Sequence, residues 1–325
     1  MPLIIGNMSE NIKVVYVTGC LGFIGAYVTR ACLNKGWYVI GVDKNTYAAR
    51  RENLKEFDTF GERFKFIPSD IKDLNYLHDC DYVINTAAET HVDNSIVDSS
   101  AFSSSNIEGV RNLLELIRHK GQYKMPTFFQ FSTDEVYGDI TEGSHTENHI
   151  LKPSNPYSAT KAAADMLILA WNRTYKVPYV ILRPTNNYGI GQHPEKLIPK
   201  ACKHIQLGRK IPVFNGGSST RMWLHAQDTA AAVITIIESS MTNEIYNVSS
   251  NFELSIREVI RKIVGFMTDD EDMDLYCDFS FSRAGHDLRY SLDDSKLRKL
   301  GWTNKCDFNS ELSVVVNFYN DNFIW

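Results

Sequence analysis

Six apolar runs rich in β-branched residues recur along the first part of the chain: KVVYVTG (13–19), WYVIGVD (37–43), RFKFIPSD (63–70), DYVINTA (81–87), TFFQFST (127–133) and PYVILRP (178–184). Their apolarity is continuous, the pattern of strands covered on both faces. Between them lie segments with helical spacing, among them FIGAYVTRACLNKG (23–36) and SNIEGVRNLLELIRHKG (105–121), which end on Gly36 and Gly121 at C-cap positions. Strand–helix repetition predicts an α/β fold with a parallel sheet, helices on both faces, and ligands at the carboxyl ends of the strands.

After residue 184 the alternation loosens. Short apolar stretches (KIPVF, EIYNVSS, DLRYSL) mix with helical ones (DTAAAVITIIESS, SIREVIRKIVGFM, DSKLRKLGW, SELSVVVNFY). This predicts two units, 1–184 and a smaller α/β lobe over 185–325, with an interleaved boundary and some later segments returning to the first unit. The acidic run DDEDMD (269–274) reads as a solvated loop.

Composition narrows the function. The 325 residues are 43% hydrophobic and 22% charged, with a net charge of -5, so a sizeable core is available. No basic stripe points to nucleic acid. No apolar run reaches the roughly 18 residues of a membrane span, and the first residues lack a signal-peptide pattern. A cytoplasmic chain is expected. Six scattered cysteines (Cys20, Cys32, Cys80, Cys202, Cys277, Cys306) form no C-x-x-C pair or zinc-like cluster, so reduced thiols and no metal are expected. The N-x-[ST] triplets at Asn7, Asn172 and Asn247 carry no meaning in such a compartment.

The stretch TGCLGFIG (18–25) spaces Gly19, Gly22 and Gly25 between the first strand and the first helix. Glycines there let backbone approach a pyrophosphate resting on a helix N-terminus, which makes the first unit a Rossmann-type, doubly wound sheet. Asp43 ends the second strand, where a carboxylate accepts from the ribose hydroxyls and repels a 2′-phosphate; NAD is favoured over NADP, although Lys44, Arg50 and Arg51 are close enough in sequence to take a phosphate. Asp70 and Ile71 end the third strand beside the adenine position. Ala87 and Ala88 end the fourth, where small residues admit the cofactor or simply pack.

YSATK places Tyr157 and Lys161 on one face of a helix, so that the ammonium can sit near the phenol and lower its pKa. Thr133 can complete a Thr/Tyr/Lys set around a sugar hydroxyl. Asp134 and Glu135 follow it at a strand end. Two adjacent carboxyls in a partly dry site resist ionising together, which supplies one base and one protonated acid near neutrality. Taken alone, they could merely pair with cations at the strand end.

With these residues assembled, the chain resembles the dTDP-glucose 4,6-dehydratase family of the extended short-chain dehydrogenase/reductase superfamily. DKNTYAAR, AAETHVDNSI, FSTDEVYGD, NPYSATKAAAD, NNYG, PEKLIP, STRMWLHAQD and RAGHDLRYSLD resemble family segments in order. Cys20 and Leu21 depart from the family's small residues, and NVSSNFELS is only loosely similar.

The resemblance implies a sequence of reactions at one sugar. Oxidation at carbon 4 acidifies carbon 5, water is eliminated across carbons 5 and 6, and hydride returns to carbon 6. It makes Glu135 the base and Asp134 the acid. It adds Phe23 and Ile24 to the NAD-binding turn, with Lys44, Tyr157 and Lys161 also touching NAD. It gives His91, Thr133, Asn187, Glu195, Lys196, Leu197, Arg221, Asn251, Arg283 and His286 to a nucleotide-sugar substrate, with dTDP or UDP left open, and it implies a homodimer. The alternatives are a nucleotide-sugar 4-epimerase, a nucleotide-glucuronate decarboxylase, which keeps the Glu but lacks the Asp, and a silent NAD-binding scaffold or redox sensor.

Overall fold

The computed structural model describes residues 12–121, 124–268, 270, 272–282 and 287–322. Six strands follow the six apolar runs: β1 (Val14–Thr18), β2 (Tyr38–Asp43), β3 (Phe64–Pro68), β4 (Tyr82–Asn85), β5 (Thr127–Phe131) and β6 (Tyr179–Pro184). Later come β7 (Asn186–Tyr188), β8 (Ile211–Pro212), β9 (Thr220–His225), β10 (Glu244–Val248), β11 (Glu253–Ser255) and β12 (Cys277–Asp278). The main sheet has seven strands in the order β3-β2-β1-β4-β5-β6-β10, each pair parallel.

Alternate residues of one strand supply two different cores, which explains the unbroken apolarity. Val15 and Val17 pack with Val28, Leu33 and Val233 on one face; Tyr16 packs with Val110, Leu114 and Ile168 on the other. The strand order reverses at β1, between β2 and β4, and there the sheet opens a crevice at its carboxyl ends.

The chain does not leave this body at residue 184. Helix Ala226–Glu238 joins the core under helix Phe23–Asn34, and β10 pairs with β6 from Glu244↔Val180 to Val248↔Pro184. The stretch EIYNVSS is thus the outer strand of the main sheet. Helix Ser295–Arg298 also packs Leu297 into the main-sheet core, and most other second-half elements form the lobe above the crevice: a three-stranded sheet β11-β9-β7, the short pair β12-β8, and helices Leu197–Gln206, Ile256–Met267 and Phe308–Asp321 around Trp223, Ile263 and Phe308.

The helix expected over 105–121 begins earlier and differently. A π-helical turn, Ser103–Glu108, precedes the α-helix Gly109–Arg118. The wider turn accompanies a buried Asn106, whose carboxamide accepts from the Glu89 amide (2.9 Å) and donates to the Glu89 carbonyl (3.0 Å) and Thr160 Oγ1 (2.9 Å). Among the described residues no helix is long and apolar enough to cross a membrane, and all six cysteines are free thiols.

Candidate active site

One cleft runs along the carboxyl ends of β1, β2, β4, β5 and β6. At its floor, Gly19 adopts φ +70°, and a Cβ there would lie 2.7 Å from the Ala87 amide nitrogen. A Cβ on Gly25 would meet the Gly19 carbonyl at 2.0 Å. Glycine is therefore required for the turn to close against β4. Helix Phe23–Asn34 starts directly behind it with Gly22 as N-cap and no side-chain cap, leaving its first amides available to an anion. Phe23 and Ile24 line the cleft, with Gly19, Gly22 and Gly25.

Asp43 is buried, and its carboxylate accepts from the Leu21 amide (3.0 Å) and the Asn45 amide (2.7 Å). Burial raises its pKa, with both amides opposing. Lys44 lies 3.4 Å from Asp70 and 3.5 Å from Glu89, so its charge is shared between two carboxylates. Asp70, Ile71, Ala87 and Ala88 line the same wall. Acceptor carboxylate, small-residue wall and uncapped helix start together fit a dinucleotide.

The chemistry-bearing residues sit where β5 ends. Thr133 is extended, and a 3₁₀ turn, Asp134–Tyr137, follows. Thr133 Oγ1 donates to Asp134 Oδ1 at 3.1 Å, and Glu135 accepts from Asn155 Nδ2 at 3.2 Å. Asn155 is also the N-cap of helix Pro156–Tyr175, with a capping box and a first-turn proline that fix the helix start. That helix carries Tyr157 and Lys161. Thr133, Glu135 and Tyr157 line the cleft. Asp134, 3% exposed, lies behind them with Oδ2 unpartnered.

Burial, then the charge of Glu135, pushes Asp134 up to about 7. Burial also raises Glu135, opposed by Asn155 and Arg221. The expected effect of Lys161 on Tyr157 is absent. The ammonium donates instead to the Phe131 carbonyl, and the phenol is driven up by burial and then by Glu135. Burial brings Lys161 down to about 8, with Asp165 opposing.

The expected substrate residues divide. Asn187, Glu195 and Lys196 line the cleft. Asn187 accepts from Thr229 Oγ1 (2.6 Å), and Lys196 Nζ donates to the Thr90 carbonyl (2.9 Å). His91 is set back as the N-cap of helix Val92–Val97, accepting from Asn94. Leu197 starts its helix and packs into the upper lobe, and Asn251 is exposed on a bend away from the cleft. Arg221 donates to the carbonyls of Thr220, Leu288 and Asp287 and stacks on the Tyr290 ring at 4.3 Å, its charge reaching both Asp134 and Glu135. Arg283 and His286 lie outside the described residues.

Sequence reasoning missed Thr86, whose hydroxyl donates to the Thr18 carbonyl at 2.6 Å, and the pair Gln192 and His193 beside Glu195. The first stands in the TAA segment and the others just before PEKLIP, so position alone could have suggested them.

The family model for GDP-mannose 4,6 dehydratase matches residues 16–313. The low-salt glycan biosynthesis protein of Haloferax volcanii is 39% identical over 310 residues, covering 94% of this chain and 98% of that one. The dTDP-glucose 4,6-dehydratase of Streptomyces niveus is 36% identical over 322 residues, covering 96% and 94%. The crystal structure of DesIV, a dTDP-glucose 4,6-dehydratase from Streptomyces venezuelae solved with NAD bound, superposes with a TM-score of 0.89 at 36% identity, covering 95% and 97%. The chain belongs to the GDP-mannose 4,6 dehydratase family.

Proposed function

We propose that the chain is an NAD-dependent nucleotide-sugar 4,6-dehydratase, a hydro-lyase that turns dTDP-glucose or UDP-glucose into the 4-keto-6-deoxy sugar. One observation carries the reading: two consecutive carboxyls at the end of β5, of which Asp134 is buried and pushed up to about 7, so that about half of it holds a proton at neutrality, while the half-buried Glu135 faces the cleft.

NAD would be held tightly by the glycine turn, Asp43 and the Asp70–Ile71 wall, and would supply the hydride acceptor for the oxidation at sugar carbon 4 and the hydride donor for the return at carbon 6. Tyr157 takes the proton of the carbon 4 hydroxyl, steered by the Thr133 hydroxyl. A phenol driven up by burial and by Glu135 needs positive charge close by before it can serve, and Lys161 supplies it once its ammonium turns from the Phe131 carbonyl toward the phenol. Glu135 then takes the carbon 5 proton, and Asp134, set behind Thr133, gives its own proton through the Thr133 hydroxyl to the departing carbon 6 hydroxyl. As hydride reaches carbon 6, Glu135 returns its proton to carbon 5, and the proton taken by Tyr157 replaces the one that Asp134 gave, so atoms balance as the loss of one water. Asn187, Glu195 and Lys196 orient the sugar and Arg221 meets the nucleotide diphosphate, with His91 and Leu197 at the margin of that site; the family resemblance assigns Arg283 and His286 to the same diphosphate.

A 4-keto-6-deoxy product suits a cytoplasmic, rhamnose-type deoxysugar synthesis. The same reading includes a homodimer through helices Gly109–Arg118 and Pro156–Tyr175, supported by the exposed apolar side chain of Met166 on the second. Mass spectrometry after incubation with each nucleotide-glucose tests the function: loss of water is expected, and a product of unchanged mass inverted at carbon 4 would overturn it.

A further inference from the structure

A buried ion pair outside the cleft grips the reactive turn at both ends. Asp165 is on helix Pro156–Tyr175, one turn beyond Lys161, and Arg183 is on β6; they are 0% and 2% exposed. Arg183 Nε and Nη2 donate to Asp165 Oδ2 at 3.1 and 3.0 Å. The same oxygen accepts from Ser132 Oγ at 3.0 Å, one residue before Thr133.

The other arm of the guanidinium reaches the far end of the turn. Arg183 Nη1 donates to Tyr137 Oη at 2.8 Å, and its plane lies 4.8 Å from the Tyr137 ring centroid. His145 stacks on that ring at 4.9 Å, and Tyr137 Oη donates to Asn247 Oδ1 on β10 at 2.8 Å. Ser132 and Tyr137 bracket Thr133, Asp134 and Glu135. The helix carrying Tyr157 and Lys161 is bound to the same strand end by the Asp165–Ser132 and Lys161–Phe131 hydrogen bonds.

We infer that Asp165 and Arg183 are positioning residues that fix the Thr133–Asp134–Glu135 turn relative to Tyr157 and Lys161. As a source of stability alone, a buried ion pair is often matched by apolar residues of equal volume. Its planar fork does something apolar residues cannot: one guanidinium ties Asp165, which holds the Ser132 hydroxyl before the turn, to the Tyr137 phenol after it. Misplacement of reacting groups by about 1 Å is enough to slow chemistry by about 10²-fold.

This inference rests on the dehydratase reading for its kinetic arm only. Two variants loosen the turn while keeping the ion pair: Ser132→Ala with Tyr137→Phe, and separately Arg183→Lys, which keeps the charge for Asp165 but lacks the fork. Steady-state kinetics on the NAD-loaded enzyme are paired with hydrogen exchange of the 133–138 amides, read by mass spectrometry on folded protein. Expected are a kcat lower by about 10²-fold with KM nearly unchanged, and exchange faster by about tenfold in 133–138 but not elsewhere. Unchanged local exchange in both variants overturns the inference, as does unchanged kcat in both. If wild-type enzyme removes no water from either nucleotide-glucose, the proposed function fails, and local exchange alone then decides the positioning role.

Discussion

The Tyr47 phenol donates to the Glu195 carboxylate at 2.8 Å, joining the loop after β2 to the loop before helix Leu197–Gln206 across a separation of 148 residues. The Tyr47 ring meets His193 edge-on at 5.1 Å. Because Tyr47 is 55% exposed, the bond is partly screened by water and worth about 1 kcal/mol. Tyr47→Phe is expected to speed release of bound dinucleotide by roughly fivefold at 25 °C. Stopped-flow fluorescence of reduced dinucleotide release measures it, and an unaltered rate would show that the two loops do not hold the cleft together.

Asp134 should govern the alkaline limb of turnover. Its acid form is required and its pKa is about 7, so kcat is expected to decline as pH rises through that value. Stability follows the same direction. The folded pKa stands above the ordinary 3.8, so the native protein holds a proton that the unfolded chain has released. The contribution is complete below about 4 and is lost as pH climbs through about 7. Melting temperatures across that range should fall more steeply for wild type than for Asp134→Asn.

Asp134→Asn should still let Glu135 lift the carbon 5 proton. Exchange of that hydrogen with deuterated solvent is expected to continue while water loss slows by roughly 10²–10⁴-fold. Rapid-quench mass spectrometry separates the two steps. Undiminished dehydration would remove Asp134 from the role of acid.

Glu135→Gln is expected to stall the reaction one step earlier. Reduced cofactor should accumulate on mixing with substrate, without carbon 5 exchange. Tyr157→Phe should block even that reduction, and absorbance of the reduced nicotinamide distinguishes the two variants directly.

Asp43 makes a prediction about identity. Dinucleotide freed by denaturing the purified protein is expected to be NAD, since Lys44 is already shared between Asp70 and Glu89. Chromatographic recovery of mainly NADP would mean that Arg50 or Arg51 overrides the Asp43 carboxylate.

The six strands of the first part were legible because two-sided burial leaves an unbroken apolar signature, as in Val14–Thr18. β10 was not assigned to the same sheet: EIYNVSS is short, polar at Glu244 and Asn247, and far along the chain, so nothing local announces that it pairs with β6. The glycine turn and the 133–135 trio could be read because their chemistry depends on residue type and spacing. Depth could not. Whether Asp134 faces the cleft or lies behind Thr133, and whether Lys161 points to a phenol or to the Phe131 carbonyl, depends on side-chain packing that spacing does not encode. The π-turn escaped for the same reason, because it accompanies the tertiary hydrogen bonds of Asn106.

During synthesis, β6 leaves the ribosome well before its neighbour on the open side. Until Glu244–Val248 emerges, on the order of several seconds later, the backbone of Val180–Pro184 is an unpaired parallel edge flanked by apolar side chains. A nascent chain in that interval is a target for strand addition by another copy, and for chaperones that shield such edges. A fragment ending at residue 184 would keep that exposure permanently and should aggregate, even though it contains the dinucleotide turn, Tyr157 and Lys161.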